Sequence, residues 1–134
     1  MIQLATTSAT VVSAGQAITF DSTPLKTGCA ECTRANTGSV KLRSNGIYVV
    51  TFSGNIGATT ATTTAQLSIQ LGGVTISDST MISMTTAAGD LSNVSVTIPI
   101  KNCCGDYDRV TVVNTGTADI NVGAGATLFV RRVS

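Results

Sequence analysis

The fold of this chain is decided by one stretch of sequence, Gly46-Ile47-Tyr48-Val49-Val50-Thr51-Phe52-Ser53-Gly54-Asn55. Most of these side chains are β-branched or aromatic, and such side chains pack well on a pleated sheet. Tyr48, Val50 and Phe52 alternate onto one face, and the residues between them keep the start of the opposite face apolar. A strand that is apolar on both faces is typical of the interior of a sheet. We therefore predict a central strand here, with the other segments as its partners.

Short alternating segments flank this stretch and predict further strands. Leu91 to Ile100 alternates most regularly, with valine and isoleucine opposite asparagine, serine and threonine. Gly72-Gly73 is a hairpin turn signal. Thr23-Pro24 indicates a loop that runs to Gly38, because proline cannot donate to a central ladder. The predicted strands besides the central one are 16–21, 39–43, 65–71, 74–76, 81–86, 91–100, 107–113, 119–122 and 126–133.

These strands, with no useful stretch of helical periodicity, predict an all-β fold: a two-sheet antiparallel sandwich or jelly roll. A chain of 134 residues is expected to form one domain. We place the jelly-roll domain at 16–134. Residues 1–15, which are rich in Thr, Ser and Ala, are interpreted as an N-terminal arm or an edge strand.

The charge balance argues against two classes of partner. The chain has 8 Lys and Arg against 7 Asp and Glu, so it lacks the excess of cations that nucleic acids and membrane surfaces attract. The N-terminus lacks the pattern of a secretory signal, and no apolar run approaches the roughly 18 residues of a membrane span. We expect no nucleic-acid or membrane partner, and synthesis and folding in a cytoplasm.

Few charges and some outward apolar residues indicate oligomerisation. Only 11% of the residues are charged, so much of the outside is either covered or built from Thr, Ser and Asn. Ile47 and Phe129 are apolar on the face that should point away from the core. We interpret them as part of a subunit interface. The alternative is a twisted sheet with loops over both sides.

Four cysteines leave three interpretations open: Cys29, Cys32, Cys103 and Cys104. Four thiolates can hold zinc, but the adjacent pair is poorly spaced, because neighbouring residues of an extended segment point in opposite directions. One or two disulfides are the second interpretation, with three possible connectivities for two bridges. Free thiols packed as small hydrophobic groups are the third, and a cytoplasmic origin favours them.

No pattern of residues predicts an enzyme or a cofactor site. The chain has no histidine, which is the commonest general base, and no Gly-x-Ser-x-Gly motif. Asp90, Asp106 and Asp108 lie in turn-rich segments without a calcium-ligand spacing, and we interpret them as turn residues. Arg131-Arg132 either ends a strand in water or docks on an acidic partner.

The strand pattern resembles the tumour-necrosis-factor/C1q-like jelly-roll family. More narrowly, it resembles small C1q-like proteins of phages and prophages of gut Firmicutes and, more distantly, the C-terminal domain of the exosporium collagen-like glycoprotein. The likeness covers nearly the whole chain, and its motifs are sheet patterns that specify a fold more than a family. The residues that carry it are 46–56, 67–73, 110–116, 126–130, the segment Thr7 to Val12 and the pair Cys103-Cys104.

The resemblance implies a tight homotrimer, with the first and last strands on the inner sheet near the threefold axis. It implies interface positions at Gln66, Ser68, Gln70, Ser95, Thr97 and Phe129. The implied role is a non-enzymatic virion structural protein, a capsid decoration or head-fibre protein on the virion surface. Its partners are then its own copies and the major capsid protein or another virion protein.

Two alternative functions share this fold. One is a trimeric tip that binds a host receptor or carbohydrate, and the other is a spore-surface C1q-like protein. Sugar sites commonly stack on aromatic rings, and this chain has only two Tyr and three Phe. The composition therefore favours the structural role.

Overall fold

The computed structural model describes residues 2–26, 32–36, 39–42, 45–85, 87, 89–102 and 109–133. Thirteen β-strands form in these ranges, arranged in two antiparallel sheets. The strands are β1 (Ile2–Ala5), β2 (Thr10–Val12), β3 (Ser22–Lys26), β4 (Cys32–Asn36), β5 (Ser39–Leu42), β6 (Gly46–Ala58), β7 (Thr63–Leu71), β8 (Val74–Thr75), β9 (Met81–Thr85), β10 (Ser92–Asn102), β11 (Arg109–Asn114), β12 (Ile120–Val122) and β13 (Thr127–Arg132). The prediction of an all-β, two-sheet antiparallel sandwich is confirmed.

The first sheet is built around β6, as the sequence predicts. Its order is β2-β12-β6-β13-β1-β3, and β10 pairs along the other edge of β6. Val50 is opposite Ile98 on β10 and opposite Val130 on β13, so these three aliphatic side chains share one face. The strand continues to Ala58, past the predicted end at Asn55, because β12 pairs with its last three residues.

The second sheet has the order β4-β5-β11-β7-β8, and β9 pairs with the first half of β7. The predicted hairpin turn at Gly72-Gly73 is confirmed: both glycines have positive φ angles, 62° and 86°. Side chains with a Cβ rarely adopt two such angles in succession, and two-residue hairpin turns require them. Leu71 consequently lies opposite Val74 on the return strand.

The core lies between the two sheets. The predicted core side chains Tyr48, Val50 and Phe52 are fully buried. They pack with fully buried side chains from both sheets: Ile2, Leu4, Ile18, Phe20, Val40, Leu42, Ile56, Leu67, Ile69, Val110, Val112, Ile120, Val122, Leu128 and Val130. Each large aliphatic or aromatic side chain removed from water contributes about 1.5–3 kcal/mol, so this cluster is the main source of stability.

The N-terminal segment differs from the expected arm or edge strand. β1 has β13 on one side and β3 on the other, and Ile2 and Leu4 are fully buried. Only β2 lies at an edge, where it pairs with β12. β1 thus belongs to the sandwich, because the alternation of Ile2 and Leu4 gives it a core face.

Three local predictions about the first forty residues are wrong. Pro24 lies inside β3 and does not start a loop, since β3 is the last strand of its sheet and one of its edges needs no donors. The predicted loop between Leu25 and Gly38 contains β4. Residues 16–21 form a single bridge at Ala17 and no regular strand, although Ile18 and Phe20 point into the core as expected.

Candidate subunit interface

One outer face of the sandwich carries several of the predicted interface residues. It is the outward side of the first sheet, and we call it the open face. None of its side chains is buried: each is partly or fully exposed. Its members are Gln3, Ile47, Val49, Thr51, Ser53, Ser95, Thr97, Pro99, Thr127 and Phe129.

The register of four strands aligns the centre of the open face into a row. Gln3 is opposite Phe129, Phe129 is opposite Thr51, and Thr51 is opposite Thr97. The hydroxyls of Thr51 and Thr97 lie 3.2 Å apart and share a hydrogen bond. Directly opposite side chains stabilise a sheet as pairs, so this row is preorganised by the strands beneath it.

The centre of the open face is uncharged. Its members are apolar groups, hydroxyls and one amide, and the nearest cations on the same side are Lys101 and Arg131 at one end. Ile47, which is 41% exposed, lies opposite Lys101. When such a surface is buried against another protein, no ion loses its hydration. The polar groups that do lose water can form hydrogen bonds across the contact, so the free-energy cost of association is low.

The structure divides the predicted interface residues between opposite sides of the molecule. Ile47, Ser95, Thr97 and Phe129 lie on the open face. Gln66, Ser68 and Gln70 lie on the outward side of β7 in the second sheet. A sequence with period two shows which side chains point outward, and it does not show which sheet each strand joins. One flat contact therefore cannot contain the whole set.

Ser68 is only 1% exposed, so the structure leaves it no surface to offer a second subunit. Its hydroxyl lies 2.9 Å from those of both Thr80 and Thr115. Gln66 donates to the Thr115 hydroxyl at 3.0 Å, and Gln70 donates to the Thr75 hydroxyl at 3.2 Å. These side chains have hydrogen-bond partners within the chain, and Gln66 and Gln70, which are partly exposed, stay predicted interface positions.

Two exposed apolar residues were missed by the sequence analysis. Ile82 and Met84 on β9 are 62% and 60% exposed, while Thr85 on the same strand is buried. The inward Thr85 hydroxyl accepts the backbone N–H of Ala58 at 2.7 Å, which compensates for its burial. The signal was present: Ile82 and Met84 alternate with Ser83 and Thr85, but these two polar residues point inward with the buried Met81.

The other candidate residues fall outside the interface. Cys29, Cys103 and Cys104 lie outside the described residues, as do Asp106, Asp108 and the side chain of Cys32, so all three interpretations of the cysteines stay predictions. Among the side chains that are described, no three acidic or cysteine groups gather as metal ligands would. None of the described segments is a helix that could span a membrane.

The chain resembles solved jelly-roll structures, although no family model and no curated protein matches its sequence. The globular domain of zebrafish complement 1qA superposes with a TM-score of 0.71 at 13% identity, covering 99% of this chain and 96% of that one. Eiger TNF from S. frugiperda also gives 0.71 at 13% identity, covering 99% and 91%. PRD1 vertex protein P5 gives 0.52 at 17% identity, covering 99% and 96%. The fold is therefore that of C1q and TNF jelly-roll domains.

Proposed function

We propose that this chain is a non-enzymatic structural protein that assembles into a homotrimer through the open face and decorates the surface of a virus particle. The observation that carries the proposal is the open face itself. It spans four strands, has Phe129 and Thr51 at its centre and bears no charge there. A free surface of that kind gains most by contact with another copy.

A threefold ring requires two different surfaces, because each copy contacts the next head to tail. The open face supplies one of them. The β9 edge, with Ile82 and Met84 more than half exposed, supplies the other. A twofold dimer would pair the open face with itself and leave these two side chains in water. The presence of two separate apolar surfaces therefore favours a closed ring over a dimer.

The chemistry of the open face supports a role without catalysis. Its side chains are amides, hydroxyls and apolar groups, with no carboxylate or thiol, and the chain has no histidine. A general acid or base is thus missing from this surface. The fold likeness to a phage vertex protein supports a virion location, with the major capsid protein or another virion protein as the docking partner.

The mass of the purified protein in solution tests the assembly. Light scattering coupled to size exclusion should give close to three times the chain mass of 13.6 kDa. A single-chain mass at micromolar concentration contradicts the homotrimer. A mass of two chains contradicts the ring and favours a twofold contact of the open face with itself.

A matched pair of substitutions tests which face is used. Thr51→Arg places a charge at the centre of the open face, and Thr111→Arg places the same charge in the middle of a strand on the outward side of the second sheet. Both threonines are partly exposed. We expect Thr51→Arg to give a folded single chain and Thr111→Arg to keep the assembly, because an unpaired charge in a contact costs several kcal/mol. Phe129→Arg should behave like Thr51→Arg. The opposite result would move the interface to the second sheet.

Binding of the protein to the virus particle is tested separately, because self-association alone does not show where the protein works. Purified capsids that lack the protein should bind the wild-type chain at a fixed number of copies per capsid. The Thr51→Arg chain should bind more weakly, since single copies lose avidity. Equal binding of the two chains would contradict the trimer as the docking unit.

A further inference from the structure

The cations that the structure describes gather at one end of the sandwich. β6 begins at this end and β13 finishes there, with Arg132 opposite Tyr48. In the second sheet, β11 starts at the same end, where Arg109 is opposite Lys41. We call it the basic end. By strand register it holds every lysine and arginine whose side chain the structure describes: Lys41, Lys101, Arg109, Arg131 and Arg132.

Three of the four described carboxylates lie toward the opposite end. The backbone carbonyl of Asp119 accepts the N–H of Thr59, just beyond the last residue of β6. Asp90 lies against Gly57, and Asp21 accepts two hydrogen bonds from Thr7. Asp78 is on the flank of the second sheet, in the turn after β8. Among the residues that the structure describes, charge is therefore separated along the length of the sandwich.

The distance between the cations and the carboxylates is large compared with the range of electrostatic interactions in salt solution. From Ile47, opposite Lys101, to Gly57, beside Asp90, β6 advances ten residues, which at about 3.3 Å per residue is about 33 Å. The Debye length at physiological ionic strength is about 8 Å. A partner at the basic end consequently feels the cations and is screened from the distant carboxylates.

The cations are also available to a partner. Lys101, Arg109 and Arg131 are exposed, and with Lys41 they form no ion pair with any carboxylate of the described residues. Lys101 and Arg131 flank the same end of the open face, on β10 and β13. In a threefold ring each copy would add its own pair of cations beside the interface, so the charge would be repeated around the axis.

We infer that the basic end is the surface by which the assembled protein docks on an acidic protein surface. This inference rests on the proposed self-association, which supplies the repeated charge and the avidity. An acidic protein fits better than a nucleic acid for two reasons. The chain as a whole carries only +1, and the described aromatic side chains at this end are buried, as Tyr48 is, so they cannot stack on bases.

The test uses the full chain and two probes, poly-L-glutamate and a DNA duplex of similar charge, with binding followed by anisotropy of the labelled probe. We expect binding to poly-L-glutamate that weakens as NaCl is raised from about 0.1 M to about 1 M, since the Debye length falls from about 10 Å to about 3 Å. No binding at the lower salt overturns the inference. Tighter binding to DNA overturns the assignment to an acidic protein.

Two variants of equal charge make the test specific to the basic end. Lys101→Gln with Arg131→Gln removes two positive charges there. Thr60→Glu with Thr117→Glu adds two negative charges at exposed positions toward the other end. We expect the first variant to weaken binding about tenfold or more and the second to change it less than about twofold, because exposed charges act over short distances. Equal losses would show that binding follows net charge, which overturns the inference.

Light scattering on the same samples separates the two proposals. If the wild-type chain is a trimer and the basic end does not bind, the docking inference fails and the proposed assembly stands. If the wild-type chain is a monomer and Lys101→Gln with Arg131→Gln still abolishes binding, the assembly fails and the basic end remains a docking surface.

Discussion

The two outer faces of this sandwich carry the same kinds of residue, but they differ in how far the chain itself covers them. The open face of the first sheet is left bare over four strands. The outward side of the second sheet, which we call the covered face, is partly covered by the chain itself. Val113 on β11 points outward and is only 8% exposed, because the segment around Ala17 pairs with it. Ser68, also outward, is 1% exposed.

The difference shows how a chain with few charges can form two kinds of outer surface. One has its polar groups hydrogen-bonded within the chain, and the other is free to contact a partner. On the covered face, the buried Ser68 hydroxyl bonds to the hydroxyls of both Thr80 and Thr115, so Ser68 needs neither water nor a partner. On the open face, Thr51 and Thr97 share a hydroxyl–hydroxyl bond, and Phe129 remains partly exposed. Apart from the β9 edge, the open face is therefore the one that gains most from association.

The largest effect should come from the buried amide at the end of β11, beside the segment around Ala17. Asn114 is fully buried. Its side chain donates to the carbonyls of Val12 and Ala118 at 3.1 and 2.9 Å and accepts the N–H of Gly116 at 3.1 Å. Asn114→Ala leaves these groups without their partner, and we expect the free energy of unfolding in urea to fall by about 3 kcal/mol.

The matched control is the same substitution at an asparagine on the outward side of the first sheet, next to the open face. Asn55 is exposed, and its side chain accepts one long hydrogen bond from Asn93 at 3.3 Å. Asn55→Ala should change the free energy of unfolding by no more than about 0.5 kcal/mol. Both variants are measured at one protein concentration, since assembly adds to apparent stability. Equal losses would mean that the three bonds of the buried amide stabilise the fold no more than the single bond of the exposed amide.

The sequence predicts the core of this fold well because buried side chains recur at every second position of a strand. The alternation of Tyr48, Val50 and Phe52 predicts both the central strand and its inward face. The predictions that fail concern segments whose alternating pattern is short, or segments whose structure depends on their position in the sheet. Pro24 reads as a loop residue, and only the position of β3 at the edge of its sheet makes it acceptable in a strand.

The candidate interface was less predictable for a different reason. Thr97 and Gln66 both point outward, and their sequence patterns are alike, but one lies on the open face and the other on the covered face. That distinction depends on which strands pair, and pairing between distant segments leaves little trace in either segment alone. Ile82 and Met84 were missed because β9 turns its polar residues inward, against the usual pattern.

A second substitution tests whether the backbone at Asp90 bounds one end of the open face. Gly57 points outward on β6, and a Cβ there would lie 1.9 Å from the carbonyl oxygen of Asp90. Gly57→Ala forces that backbone to move, and we expect a loss of about 2 kcal/mol in the free energy of unfolding. Gly73→Ala is the control: nothing lies within 4 Å of its Cβ, and the cost of about 1 kcal/mol comes from its φ of 86° alone. If Gly57→Ala costs less than Gly73→Ala, the loop at Asp90 does not close that end of the face.

The smallest effect tests the comparison at the level of single hydroxyls. Ser68→Ala removes a buried hydroxyl with two partners, and Thr97→Ala removes an exposed one with a single partner. Both are measured in the Phe129→Arg chain, so that assembly does not contribute. We expect Ser68→Ala to lower the free energy of unfolding by about 1 kcal/mol and Thr97→Ala by about 0.3 kcal/mol, because water replaces the bond only at the exposed site. Equal costs would mean that Thr97 is already covered within one chain, and the open face would then need no second copy to shield it.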